Sequence, residues 1–238
     1  SYEIALGLSI IPVLMMYGDL NLGHIVEEQA KNGWLLLPLW GEGWSWERWI
    51  TLPPLIITFF IFTTSIFAET NRTPFDLPEC ETELVGGYHT EYSSMKFALF
   101  FLGEYAAMII GSALIVTLFL GGWSIGFGID GLLPTGAWWV SLIHMGCFLT
   151  KVTIFILFFV LVRWTVPRFR YDQLMDLGWI VFFEAALINI FLMAILMSWE
   201  SLRGWTFLAA AILIVASILL IKIAKSATKP PAYKTRPV

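Results

Sequence analysis

Six runs of predominantly apolar residues, at roughly 2–17, 49–68, 96–122, 137–163, 178–199 and 204–224, dominate a chain of 238 residues. A helix needs about 20 such residues to cross the hydrocarbon of a bilayer, and all but the first run reach that length. In hydrocarbon every backbone N–H and C=O must be satisfied within the protein, which restricts spanning structures to helices and closed barrels. None of the runs shows the period-two alternation of a barrel strand. The chain therefore reads as all-α, a polytopic transmembrane helical bundle with about six spans, organised over residues 1–238 as a single transmembrane domain. Charged residues make up only 13% of it, against about 25% in soluble domains. Several of its 12 Trp lie close to the ends of apolar runs, where indole rings anchor to the headgroup layer. The first run is short and the chain opens Ser-Tyr-Glu-Ile, with neither an initiator Met nor a signal peptide. It reads as a piece of a longer chain.

Charge placement orients the spans. With the first residue on one side, Arg72, Lys96, Arg163, Arg168, Arg170, Lys222, Lys225, Lys229, Lys234 and Arg236 share that side, ten of the 14 basic residues. The positive-inside rule makes this the cytoplasmic face, with both ends of the chain on it. The basic tail 225–238 is then cytoplasmic. Across the membrane, 18–48 holds a short apolar piece from Trp34 to Trp40 that suits the interface, and 123–136 reads as a Gly-rich connector with one acid, Asp130.

The cytoplasmic segment 68–96 carries Glu69, Asp76, Glu79, Glu81, Glu83 and Glu91, six of the 18 acids, with Arg72 near their start. A run of charge in a loop is ordinarily a solvated surface. Here Thr73-Pro74-Phe75-Asp76 has the form of a helix start, Thr capping and Pro first. Phe75, Leu77, Leu84 and Val85 interleave with the acids and can bury part of the segment. If it is helical, Asp76, Glu79 and Glu83 share a face at spacings of three and four. Carboxylates crowded in this way titrate as a coupled set suited to holding and passing protons, with Arg72 neutralising part of it or anchoring a polar headgroup.

Ionisable groups inside spans are costly and usually face a partner or a water-filled path. Glu104 in the third span, Lys151 in the fourth, Glu184 in the fifth and Glu3 at the start of the first are candidates on that ground. Glu3 also suits an interface position, and Glu184 either snorkelling to the interface or a structural pairing with Asn189. His24, His89 and His144 have no spacing for a metal, and His144 reads as a packed, helix-bridging residue. The two cysteines, Cys80 and Cys147, form no CxxC or Cys/His cluster. In the second cytoplasmic loop, 164–177, the sequence PRFRYDQ sets Arg168, Arg170 and Asp172 together, a pattern suited to a structured partner contact.

The string AETNRTPFDLPE, followed by ETELVGGYHTEYSSMKFALFFLGEY, resembles the cytoplasmic signature of the H-subunit family of respiratory complex I, the quinone-site membrane subunits of NADH:quinone oxidoreductases. SYEIALGLS and VPRFRYDQLMDLGW are similar to that family too, and the likeness runs in order over nearly the whole chain, as the C-terminal two-thirds of such a protein. The resemblance implies about eight spans in an intact member. It also implies a quinone chamber built with peripheral-arm subunits, one of which carries the terminal iron-sulfur cluster. Quinone is then the substrate, none is covalently bound, and the clusters and flavin belong to partner subunits. Small membrane subunits and antiporter-like subunits are the membrane partners, the lipid bilayer is the medium, and nucleic acid has no part. Carried over by motif, Glu69, Arg72, Asp76, Glu79, Glu81 and Glu83 take the quinone-loop role. Glu3, Glu91, Glu104 and Tyr105, with Lys151, take the proton path, and Arg168, Arg170 and Asp172 the contact with the peripheral arm. Glu184 stands where the family leads us to expect no acid. A bacterial plasma membrane is the expected location.

Two other readings share these features. The membrane subunit of an energy-converting hydrogenase is homologous and binds no quinone, and the intact loop signature speaks for the quinone enzyme. A secondary ion transporter would account for the intramembrane acids, but the paired, Gly/Pro-interrupted helices of such transporters are not seen.

Overall fold

The computed structural model describes residues 2–37, 46–76, 92–126, 129–132, 134 and 138–198. All regular structure among them is helical: α1 (Tyr2–Tyr17), α2 (Leu22–Asn32), α3 (Trp46–Glu69), α4 (Met95–Phe119) and α5 (Trp138–Thr165), with a 3-10 turn at Ile129–Leu132. A last rod joins α6 (Tyr171–Asp176), a π-helical turn (Leu177–Phe182) and α7 (Phe183–Ser198). Among the described residues four stretches are long and apolar enough to cross a membrane, namely Thr51–Glu69, Met95–Phe119, Trp138–Thr165 and Tyr171–Ser198. The first apolar run is one half of a bent pair, α1 and α2 meeting at 59°. The architecture is thus the all-α polytopic bundle. The sixth run, 204–224, and the tail lie outside the described residues.

The chain runs back and forth, so α1, the end of α3, the start of α4, the end of α5 and the start of α6 meet at one end, called here the loop end. The turns after α1 and α4 lie at the far end. α1 packs against α3 and α7, α3 also against α7 and α4, and α4 against α5. Phe62, Ile66, Phe67, Ile115, Phe119, Phe159 and Met193 meet in the core. Two devices set the closest approaches. A Cβ on Gly111 would lie 2.6 Å from Ile66 Cγ2, so glycine is what lets α4 come down onto α3. Asn189 donates to Pro54 O at 3.0 Å and to Thr58 Oγ1 at 2.7 Å, tying α7 to α3 in apolar surroundings. Asn189 is therefore spoken for by α3, and the pairing with Glu184, one of the two structural options the sequence offered for that acid, does not form.

At the far end the segment after α1 contains α2, a helix not expected from sequence. Asn21 caps it, accepting from Gly23 N at 3.0 Å, and it buries Ile25, Val26 and Gln29. Gln29 Nε2 donates to Leu118 O at 2.8 Å, and Leu35 is buried as well. The segment is thereby fastened to the end of α4, where backbone carbonyls lack helical partners.

Candidate functional site

Arg72 lies just past the last turn of α3, in a short series of turns that closes Phe75 N onto Arg72 O at 2.9 Å. Its guanidinium turns toward α4. Nη2 is 3.5 Å from Glu104 Oε2, with the two side chains only 10% and 14% exposed. The Arg72 Cζ lies 4.7 Å from the centroid of the Tyr105 ring, within the range of an attractive cation–π contact. Glu104 and Tyr105 are adjacent on a helix, so one guanidinium reads both a carboxylate and a ring face. This is a compact cation–anion–phenol group just below the loop end, its ion pair largely buried and its Tyr105 ring exposed.

A second contact set holds the loop against the rest of the bundle. Arg168 Nη2 donates to Asp76 Oδ2 at 3.3 Å, and Phe169 N donates to Pro74 O at 3.2 Å. The Phe75 ring packs on Phe169 at 5.5 Å and on Tyr2 at 5.5 Å. Tyr2 is held in turn by its hydroxyl, which donates to Leu174 O at 2.7 Å, and by Phe182 of the π turn at 6.0 Å. Two segments distant in sequence, the start of α1 and the stretch before α6, therefore converge on Phe75. These cross-loop bonds also explain why residues 73–76 form turns and not the expected helix start: the Asp76 carboxylate reaches Arg168 instead of capping, and Pro74 O is taken by Phe169.

The remaining expected site residues fall as follows. Glu69 is exposed at the end of α3, and Glu3 is exposed beside the buried Tyr2. Arg170 and Asp172 form a local pair at 3.4 Å, 81% and 72% exposed, which contributes little by itself. Glu79, Glu81, Glu83 and Glu91 lie outside the described residues. Glu184 is half-buried.

Lys151 is not near Glu104. Its ammonium donates to three backbone carbonyls at the end of α4, Leu120 O at 2.7 Å, Gly122 O at 3.1 Å and Ser124 O at 2.5 Å, and sits 4.1 Å from the Trp34 ring centroid. Beside it the connector residue Asp130 accepts from Ser124 Oγ at 2.6 Å and from Ile125 N at 3.1 Å. His144 Nδ1 lies 3.1 Å from Trp123 O in the turn after α4. Gly121 and Gly122 have φ of +70° and +50°, and a Cβ on either would strike Trp34 or Val26. The supposed plain connector is thus a folded knot around a lysine. Sequence reasoning missed it because backbone carbonyl ligands leave no signature, although Gly-Gly beside a helix end was a visible hint.

If Asp76 and Arg168 act as a latch, each single alanine substitution should cost about 1 kcal/mol, as expected for a partly exposed pair. The double variant should then cost no more than either, measured by chemical unfolding in detergent. Additive losses would show that the two side chains act independently.

Fold and site together define a helical membrane protein that carries a buried ion pair beneath a latched polar loop. Residues 1–194 match the family model described as NADH dehydrogenase, and the chain belongs to that family. It is 47% identical over 194 residues to an H subunit of NADH-quinone oxidoreductase from Cytophaga hutchinsonii, an alignment covering 80% of this chain and 50% of that protein. Similar likenesses hold to the H subunits of the same enzyme from Flavobacterium johnsoniae, 47% identical over 191 residues (80% of this chain, 50% of that protein), and from Rhodospirillum centenum, 48% identical over 196 (82% and 51%). The chain spans about half the length of the curated relatives it matches.

Proposed function

We propose that this chain is the quinone-site membrane subunit of a proton-pumping NADH:quinone oxidoreductase, with both of its ends in the cytoplasm of a bacterium and its loop end against the peripheral arm. The observation that carries this reading is the Arg72–Glu104–Tyr105 group, set under a loop that α1 and the 166–174 segment hold in place. A quinone head reduced above that group gains negative charge. In a low-dielectric setting such a charge acts strongly on a nearby ion pair, drawing Arg72 toward the loop and loosening its hold on Glu104. Glu104 is then the first intramembrane carboxylate able to register the redox event. The loop acids Glu69 and Asp76, with Glu79, Glu81, Glu83 and Glu91, supply protons to the same region. Electrons come from an iron-sulfur cluster of a partner protein, and this chain's part is to shape the chamber, hold charge and begin the proton path.

The test is the donor-to-quinone activity of the assembly purified on a tag carried by this protein, with and without a quinone-site inhibitor. Inhibitor-sensitive quinone reduction supports the reading, whereas hydrogen evolution indifferent to quinones would assign the fold to a hydrogenase. Glu104→Gln keeps the side chain's shape and removes its charge. In liposomes it should lower protons moved per quinone reduced by about half or more, while keeping more reductase activity than an Arg72 variant. An unchanged stoichiometry would remove Glu104 from the proton path.

A further inference from the structure

Glu184 is an intramembrane acid that neither the Arg72 group nor the loop latch uses. It stands close to the middle of the 28-residue apolar stretch Tyr171–Ser198. Ala186, Asn189, Met193 and Leu196 are the buried side of α7, which packs against α1 and α3. Glu184, Leu187, Phe191 and Ile195, at spacings of three and four, form the opposite side. Leu187, Phe191 and Ile195 are exposed there, Phe191 at 62%, and Glu184 is half-buried. Among the described residues nothing donates to the Glu184 carboxylate or forms an ion pair with it. An acid at that depth is costly without a partner, so whatever packs on this face has to bring a donor.

The same chain supplies a segment that fits. α7 ends at Ser198, and the sixth apolar run, 204–224, follows after a link of five residues, 199–203. Links this short place antiparallel helices side by side. Counted by equal rises away from the link, Phe191 comes level with Ala211, Leu187 with Val215 and Glu184 with Ile218. Read as a helix, the run sets Ala211, Val215, Ile218 and Lys222 on one face, again at spacings of three and four. The Phe191 ring then meets an alanine, large against small. Lys222 lies four residues, about 6 Å, from the level of Glu184, a gap that its flexible four-carbon stem covers. We propose that the Glu184 face of α7 seats the 204–224 run of this chain, with the Lys222 ammonium turned inward to pair with the Glu184 carboxylate.

The full-length protein is expressed with its partners, and intact membranes are probed in two ways. Phe191→Cys combined with Ala211→Cys, mildly oxidised, should yield a disulfide-joined peptide by mass spectrometry. Met193→Cys with Ala211→Cys, whose first cysteine faces the core, should yield about tenfold less, since a disulfide needs its two backbones within about 7 Å. Separately, Glu184→Lys alone should lower the amount of assembled complex about threefold or more, and Glu184→Lys with Lys222→Glu should recover most of it. Joining of position 191 to another protein of the complex, in place of position 211, would give this face to a different partner and overturn the proposal. Failure of the reversed pair to recover assembly, even with positions 191 and 211 joined, would overturn it as well, by removing the ion pair.

Discussion

Arg72→Met is expected to lower quinone reduction by the assembled complex about tenfold or more, a loss of at least about 1.4 kcal/mol of transition-state stabilisation. It should also cost about 3 kcal/mol of stability. The second effect follows from burial. Sequence alone suggests that the substitution removes a local loop charge and leaves assembly intact. In the structure Arg72 is 8% exposed and faces the largely buried Glu104 side chain across 3.5 Å, so methionine takes this cation away from the carboxylate while leaving the carboxylate in place, a costly way to break such a pair. The two effects separate in a double-mutant cycle. Arg72→Met with Glu104→Gln restores a neutral pair and should recover most of the thermal stability while quinone reduction stays low. Should the double variant regain turnover as well, Arg72 acts through folding alone and has no part at the quinone. Should stability fail to recover, the two residues are not energetically coupled and the ion pair is incidental.

How far these features could be read from the chain depends on whether their partners are side chains or backbone. The spans were legible because each needs a run of about 20 apolar residues and no competing pattern produces one. Arg72 and Glu104 were each visible as a charge in a costly place. Their pairing was not, since it depends on how closely α4 lies on α3, and that is decided by one glycine, Gly111, against Ile66. The loop latch was half legible: Arg168 and Asp76 were both singled out, on separate grounds, but nothing local announces that one reaches the other. The helix start at Thr73-Pro74 failed for the same reason, a tertiary bond to Asp76 overriding a local preference. Tyr2 was missed entirely, because a tyrosine at the head of an apolar run looks like an interface residue. Here its hydroxyl is bonded to Leu174 O and its ring stands at the convergence of three segments.

Lys151→Met is expected to lower stability by about 3 kcal/mol or more without a matching loss in protons moved per quinone reduced. The stability loss is the sum of several small deficits. Three carbonyls lose one shared cationic donor, each buried acceptor left short costing about 1 kcal/mol or more, and a favourable contact with the Trp34 ring goes too. A positive charge at the C-terminal end of α4 also complements the helix dipole, an effect that methionine cannot supply. The effect on pumping is a matter of distance. From Glu104 to Leu120 along α4 is 16 residues, about 24 Å at 1.5 Å per residue, so Lys151 and Glu104 sit toward opposite ends of one helix. The ammonium is already committed to backbone oxygens, which accept hydrogen bonds but do not relay protons. Thermal unfolding of the variant, and hydrogen exchange over residues 120–126, should show the far-end knot loosening, while the ratio of protons to quinone in liposomes holds for whatever fraction stays assembled. If that ratio falls with stability unchanged, Lys151 belongs to the proton path after all, and its cage of carbonyls must open during turnover to release it.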